Sequence, residues 1–361
     1  MTPVRILVDS LADQGLTNSQ MTNAREIIRR LDSARFHVSV FCGGVPDRAI
    51  EQRPNTRLVP LPQRRRTVRV LREFLLGRHD ILFYVKSSPA SRLYLSWPRP
   101  WKDRCITIGT IESQSDARNE PTIAPEAVHL WERTVLRCDY LFSNSQSVKQ
   151  SLQREYNLPS EVVSTGVNTS FFTPARDRPA NVRPQVLFVG SLRPFKQPQL
   201  LLDAAVRFPQ ADFVLAGEGL MADELKARIE RERLRNVRLT GLLAAELLKQ
   251  QYQQADIFLF PSAWEGSPKV LLEAAACGLP VIARRDYQPE TVIHGQTGFL
   301  TSSDDEVFSR LQELLSHSDR RREFGEAGRK HSELFDWGPI TRRWEEVFLD
   351  LISRKMTARA S

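Results

Sequence analysis

Cysteine is scarce in this chain and poorly placed for chemistry: Cys42, Cys105, Cys138 and Cys277 are far apart and sit in apolar strand or helix contexts. No pair has zinc or redox spacing, so the sequence predicts four reduced core thiols and no metal centre. Long hydrophobic runs are also absent. Nowhere does an uninterrupted apolar stretch approach ~18 residues, the length a membrane-spanning helix needs. At the amino terminus, MTPVRILVDSLADQG has too short an apolar run, and Asp9 comes too early, for a secretion signal. The expectation is a protein made and kept in the cytoplasm. Internal repeats, low-complexity segments and any recognisable nucleic-acid module are missing too. The last absence sets aside the nucleic-acid partner that a net charge of +8 and a pI near 9.5 would otherwise suggest.

What is present suits two α/β domains. A chain of 361 residues with 41% hydrophobic content can supply two cores. The first half alternates strand and helix patterns as a doubly wound sheet does. Val4–Asp9, FHVSVFC, ILFYV, CITIGT and Tyr140–Ser143 read as strands, with helices over Ser19–Leu31 and Ala124–Leu136. A polar, proline-broken stretch at 175–184 reads as a linker. Ile340–Arg354 reads as a final helix.

The most telling segment is PSAWEGSPKVLLEAAACGLPVIA, from Pro261 to Ala283. Ile257–Phe260 reads as a buried parallel strand leading into it. Ser267 reads as an N-cap and Pro268 as the first helical residue, where a missing N–H costs nothing. Gly278 fits the left-handed position after the helix, Pro280 blocks its continuation, and PVIA reads as the next strand. This places Glu265 in a loop at the strand's carboxyl end and Glu273 about two turns into the helix. The free N–H groups at the helix start form a positive pole able to receive a diphosphate without metal. Carboxylates beside such a pole repel phosphate but accept hydrogen bonds from hydroxyls, so a hexose and a ribose are their natural partners. A glutamate pair with seven residues between its members reads, taken alone, as a solvated loop residue and a helix-surface charge.

The surrounding pattern decides between them. The segment resembles the Glu-x7-Glu signature of the retaining family 4 glycosyltransferases. Val186–Ala204, Phe213–Leu220, Val237–Gly241 and Pro289–Leu300 resemble, in order, further segments of that family's donor domain over about half the chain. The resemblance implies a GT-B fold, with two Rossmann-like doubly wound domains. It implies an acceptor-side domain over 1–174, a linker over 175–184, a nucleotide-sugar donor domain over 185–339 and a helix over 340–361 that crosses back to the first domain. By the same resemblance Glu265 contacts the donor sugar, Glu273 the ribose, and the amides around Gly266, Ser267, Lys269 and Val270 the phosphates or sugar, with Pro268 among the donor-binding residues. Lys196 neutralises the diphosphate. Ser191 stands where the family commonly has arginine, and Arg193 two positions on is the candidate replacement. Gly217 lies in the small-residue turn, Leu242 in the loop near the base, and Gly15 where the family often keeps a glycine pair. The expected partners are a UDP-, GDP- or related nucleotide sugar and a glycan or lipid-linked acceptor, with no cofactor.

Many relatives carry a first-domain histidine after the strand facing the donor sugar; here the stretch reads CITIGTIESQSD. Glu112 is its nearest polar group, with Ser113, Gln114 and Asp116 behind it, and either holds a reacting hydroxyl or is a solvated loop carboxylate. His129 is the competing candidate, expected to be a packing residue. Charge is concentrated in the first half: residues 1–175 hold 24 basic and 17 acidic residues, residues 176–361 hold 27 and 26. Most of the excess lies between Arg57 and Arg104. There Arg65, Arg69 and Arg72 share one helical face, Val68, Leu71 and Leu75 a neighbouring one, and Tyr94, Trp97 and Trp101 follow. Such a helix either sits on an anionic membrane surface or packs in the core with a solvated arginine face. The reading is a hexosyl transferase; a nucleotide-sugar epimerase on the same fold and a non-catalytic binding subunit are the alternatives.

Overall fold

The computed structural model describes residues 2–15, 19–97, 105–113, 124–175 and 181–360. The chain divides into two compact units, Met1–Thr165 with Trp337–Ser361, and Gly166–Asp336. The first is built on seven parallel strands: β1 (Val4–Leu11), β2 (Phe36–Cys42), β3 (Thr56–Pro60), β4 (Ile81–Phe83), β5 (Ile106–Ile111), β6 (Tyr140–Ser143) and β7 (Glu161–Val162). Their order in the sheet is β3-β2-β1-β4-β5-β6-β7. A parallel sheet is buried on both faces, which is why its strands read as nearly unbroken apolar runs. Alternate residues supply two cores. Ile6, Val8, Val38, Ile81, Phe83 and Ile108 fall in one, Leu7, Phe41, Val59 and Leu82 in the other.

The first of these cores is closed by the last helix, Trp337–Ala360. It begins three residues before the expected 340 and belongs to the first unit. Its Trp344 and Phe348 meet Phe83 at ring-centroid distances of 4.7 and 5.0 Å. Truncating buried aromatics of this kind costs about 3–5 kcal/mol each, so this unit depends on the helix that carries them.

The second unit has six parallel strands: β8 (Gln185–Val189), β9 (Asp212–Ala216), β10 (Val237–Gly241), β11 (Ile257–Phe260), β12 (Val281–Arg284) and β13 (Gly298–Thr301), in the order β10-β9-β8-β11-β12-β13. It begins at Gly166, ahead of the 175–184 stretch read as the boundary; within that stretch, residues 176–180 lie outside the described residues. The reason is local packing. Val167 donates its N–H to Phe335 O at 2.9 Å, Thr169 Oγ1 donates to Asp336 Oδ2 at 2.7 Å, and Phe172 is buried in the second core. Residues 166–174 therefore fold with the second unit and 337–339 with the first.

None of the four cysteines is in a disulfide; Cys105 and Cys277 are buried, Cys42 and Cys138 only half so. Among the described residues no helix is long and apolar enough to cross a membrane.

Candidate functional site

Strand order in the second unit reverses between β8 and β11. From β8 the chain steps outward through β9 to β10, then returns to lay β11 on the other edge of β8. Loops leaving these two strands diverge at their carboxyl ends, and that crevice is where parallel α/β sheets take ligands. Here the two loops are laced together. Ala263 donates its N–H to Phe195 O at 2.8 Å, and the Phe195 and Trp264 rings stack with centroids 4.3 Å apart. The lacing sets Lys196 against Glu265. Lys196 Nζ and Ser262 Oγ both donate to Glu265 Oε1, the latter at 2.7 Å. Lys196 also lies 4.9 Å from the Phe260 ring centroid, adding a cation–π attraction. Both charged side chains are largely buried, 15% and 13% exposed.

Neighbouring turns complete this edge. Gly217 has φ +148°, and a Cβ there would stand 1.9 Å from Gly190 O, so only glycine lets the turn after β9 press on the turn after β8. Leu192 donates its N–H to Glu218 O at 2.9 Å across the same contact. Ser191 is half-buried and Arg193 exposed, while Leu242, just past β10, is 75% exposed.

The helix after β11 spans Lys269–Ala276, one residue shorter at its start than the sequence suggested. Pro268, not Ser267, is the capping residue, extended at φ −71° and ψ 114° and with no side-chain capping bond. A residue preceding proline is held extended, and Pro268 stays extended itself, so helical geometry begins at Lys269. Gly266 and Pro268 are buried; Ser267, Lys269 and Val270 are half-buried. Glu273, in the second turn, accepts from Tyr252 Oη at 2.9 Å. Burial pushes its pKa up, against the Tyr252 hydrogen bond and the Lys269 charge. Gly278, at φ +79°, ends the helix as expected. Together a cation, an uncapped helix start and two carboxylates can hold a diphosphate and hydroxyls side by side. Among the described residues no group of three or more His, Cys, Asp or Glu is gathered to hold a metal.

The first unit reverses strand order between β1 and β4. Gly15, exposed at φ +76°, follows β1. Asp9, near the end of β1, is buried and accepts the Lys86 N–H at 2.9 Å. Burial raises its pKa to about 6, against the Lys86 N–H and the charges of Lys86 and Arg66. Glu112, just beyond β5, is no loose loop carboxylate. Its Oε1 accepts from Tyr84 Oη and Asn23 Nδ2, each at 2.9 Å, and Thr165 Oγ1 donates to Asn23 Oδ1 at 3.0 Å. His129 is 59% exposed and 3.7 Å from Glu132, so it does not pack as expected. Gln114, Asp116 and Trp101 lie outside the described residues. The basic helix spans Arg66–Leu76, with Arg65 before it in left-handed geometry. Val70, Glu73 and Phe74 are its buried residues, whereas Val68 is exposed; Tyr94 is buried and Trp97 exposed, so they form no shared surface.

Two family models match successive parts of the chain: glycosyltransferase family 4 over residues 22–171, and glycosyl transferases group 1 over 173–331. A D-inositol 3-phosphate glycosyltransferase from Thermobispora bispora is 31% identical over 309 residues, 77% of this chain and 72% of that one. The chain belongs to the family 4 glycosyltransferases. Corynebacterium enzymes of the same name match over 66–68% of their own length. Among solved structures, the sucrose-phosphate synthase of Thermosynechococcus elongatus superposes with a TM-score of 0.79 at 19% identity, covering 98% of this chain and 100% of that one. HepE of Anabaena, in complex with UDP-glucose, gives 0.71 at 19%, covering 96% and 99%. These likenesses establish a GT-B glycosyltransferase fold, and they lend no support to an epimerase.

In this glycosyltransferase the sequence missed the residues that hold the glutamates. Ser262, Phe195 and Trp264 fix Glu265, and Tyr252 fixes Glu273. Ser262 and Trp264 sit within the quoted motif and Phe195 precedes Lys196, so proximity to the motif was the available signal. Tyr252 lies on a helix far from it and carried none.

Proposed function

We propose that this glycosyltransferase moves a hexosyl group from a nucleotide-diphosphate sugar to a hydroxyl of a glycan or lipid-linked acceptor, with retention at the anomeric carbon. The observation that carries this reading is the meeting of Lys196 and Glu265 at the strand-order reversal of the second unit. Lys196, assisted by Arg193 and the amides from Gly266 to Val270, neutralises the diphosphate. Glu265 accepts from the sugar hydroxyls and Glu273 from the ribose. No metal is needed when a cation and a helix start supply the positive charge. The turns at Ser191, Gly217 and Leu242 shape the rest of the donor pocket.

The acceptor hydroxyl attacks the anomeric carbon from the face on which the diphosphate departs. One carbon–oxygen bond forms to the acceptor as the bond to phosphate breaks, and the acceptor proton passes to a phosphate oxygen. Lys196 stabilises the charge that develops on the leaving group. Glu112 is the residue proposed to orient a reacting hydroxyl. A UDP sugar is the first donor to test, because HepE holds UDP-glucose on the same fold. The test is a thermal-shift and mass-spectrometric hydrolysis screen over UDP-glucose, UDP-galactose, UDP-N-acetylglucosamine and GDP-mannose. One of them should raise the melting temperature in proportion to its affinity and be slowly hydrolysed. Absence of both effects across the panel would refute the donor-site reading.

A further inference from the structure

Tyr287 lies in the turn after β12 and is fully buried in the core of the second unit. Among the described residues its hydroxyl has no hydrogen-bond partner. A buried, unpaired hydroxyl costs free energy, and phenylalanine would fill the same space without that cost. The turn leaves the sheet beside the loop that carries Glu265, since Phe260 at the end of β11 is paired with Ala283 of β12. The phenol also feels that carboxylate: after burial itself, the Glu265 charge is the largest influence pushing its pKa up.

Glu265 has a partner that the ligand would remove. In the free protein its Oε1 is held by Lys196 and Ser262. Lys196 is also the cation assigned to the donor diphosphate, and a diphosphate carries more charge than one carboxylate. We propose that Tyr287 is a positioning residue for Glu265: when a bound diphosphate draws Lys196 away, the Tyr287 hydroxyl donates to the carboxylate and keeps it aimed at the sugar. This rests on the donor-site reading above. A neutral donor suits the task, because it compensates a buried carboxylate without adding a second cation to compete for the diphosphate.

The test uses Tyr287→Phe in the full chain. The free protein should melt at the wild-type temperature or slightly above it, because the deleted hydroxyl has no partner. With UDP-glucose, or whichever panel donor the wild type hydrolyses, kcat should fall about tenfold while KM stays within about twofold, the signature of a contact made after binding. A Lys196→Met background isolates the contact without any ligand. There Glu265 has already lost its cation and Tyr287 is engaged, so Tyr287→Phe should lower the melting temperature by about 2–4 °C, a loss absent when Lys196 is present. Lys196→Gln serves if the methionine variant does not fold. Equal melting effects in both backgrounds, or an unchanged kcat, would overturn the proposal. A wild type that hydrolyses no donor removes the donor-site reading instead, and the melting comparison still judges the Tyr287–Glu265 contact by itself.

Discussion

At the carboxyl edge of the second unit a glutamate is held by a lysine from a neighbouring loop; at the corresponding edge of the first, a glutamate is held by a phenol and an amide. The two sheets share a plan of parallel strands with one reversal of order, yet their edges are organised differently. Lys196 and Glu265 compensate each other's charge, and such a pair can be re-partnered by a ligand that brings charge of its own. Glu112, Tyr84, Asn23 and Thr165 form a chain of hydrogen bonds in which the carboxylate is held by neutral donors. The same architecture thus carries a charge-compensated glutamate at one edge and a glutamate held by neutral donors at the other.

Gly217→Ala should break the comparison most severely. Its Cβ would collide with Gly190 O, and the left-handed φ adds strain, so a loss on the order of 4 kcal/mol is expected, confined to the second unit. Urea unfolding should split into two transitions, of which only one moves; a single unshifted transition would count against it. Glu265→Ala should leave donor affinity within severalfold but lower turnover by about 100-fold, read from steady-state kinetics. Glu273→Ala should weaken donor binding by about 1–3 kcal/mol in calorimetry with the fold intact, because the carboxylate proposed to accept from ribose hydroxyls is lost.

Asp9 sharpens the contrast through pH. Its folded pKa, about 6, lies above its ordinary value of 3.8, so its contribution to stability is complete at low pH and fades as pH rises through 6. Asp9→Asn cannot titrate. Relative to wild type it should gain about 2 kcal/mol between pH 4 and pH 7.5 in denaturant titrations; parallel pH profiles would show that burial of Asp9 is not felt. The smallest effect is expected from the pair Glu112→Gln and His129→Gln. The first should lower transfer about tenfold with donor binding retained, since glutamine accepts more weakly from Tyr84 and Asn23. The second, at an exposed site, should change nothing measurable. Equal activities would remove Glu112 from the reaction.

Much of this was legible in the chain. Ile257–Phe260 emerged at its observed bounds because an apolar run met proline, and the following helix ended at a glycine whose φ is positive. Strands β3 and β7 escaped notice: TRLVP is short, half-exposed and set among prolines, and β7 has two residues at the sheet's edge. Ser267 was misread because capping preference was weighed without the restriction that Pro268 imposes on it. The Lys196–Glu265 pair could not be read at all. Its members are 69 residues apart, and only the order of strands in the sheet brings them together.

The return of the chain at Trp337 sets a timetable for synthesis. The second unit enters at Gly166 and leaves at Asp336 with its ends bonded to each other, so it is complete as soon as Asp336 has emerged from the ribosome. The first unit, though translated earlier, must wait with Phe83 and Phe142 uncovered until Trp344 and Phe348 arrive after the second unit has been made. The half that begins first therefore finishes last, and during elongation its open sheet is the surface most exposed to misassociation and most in need of a chaperone.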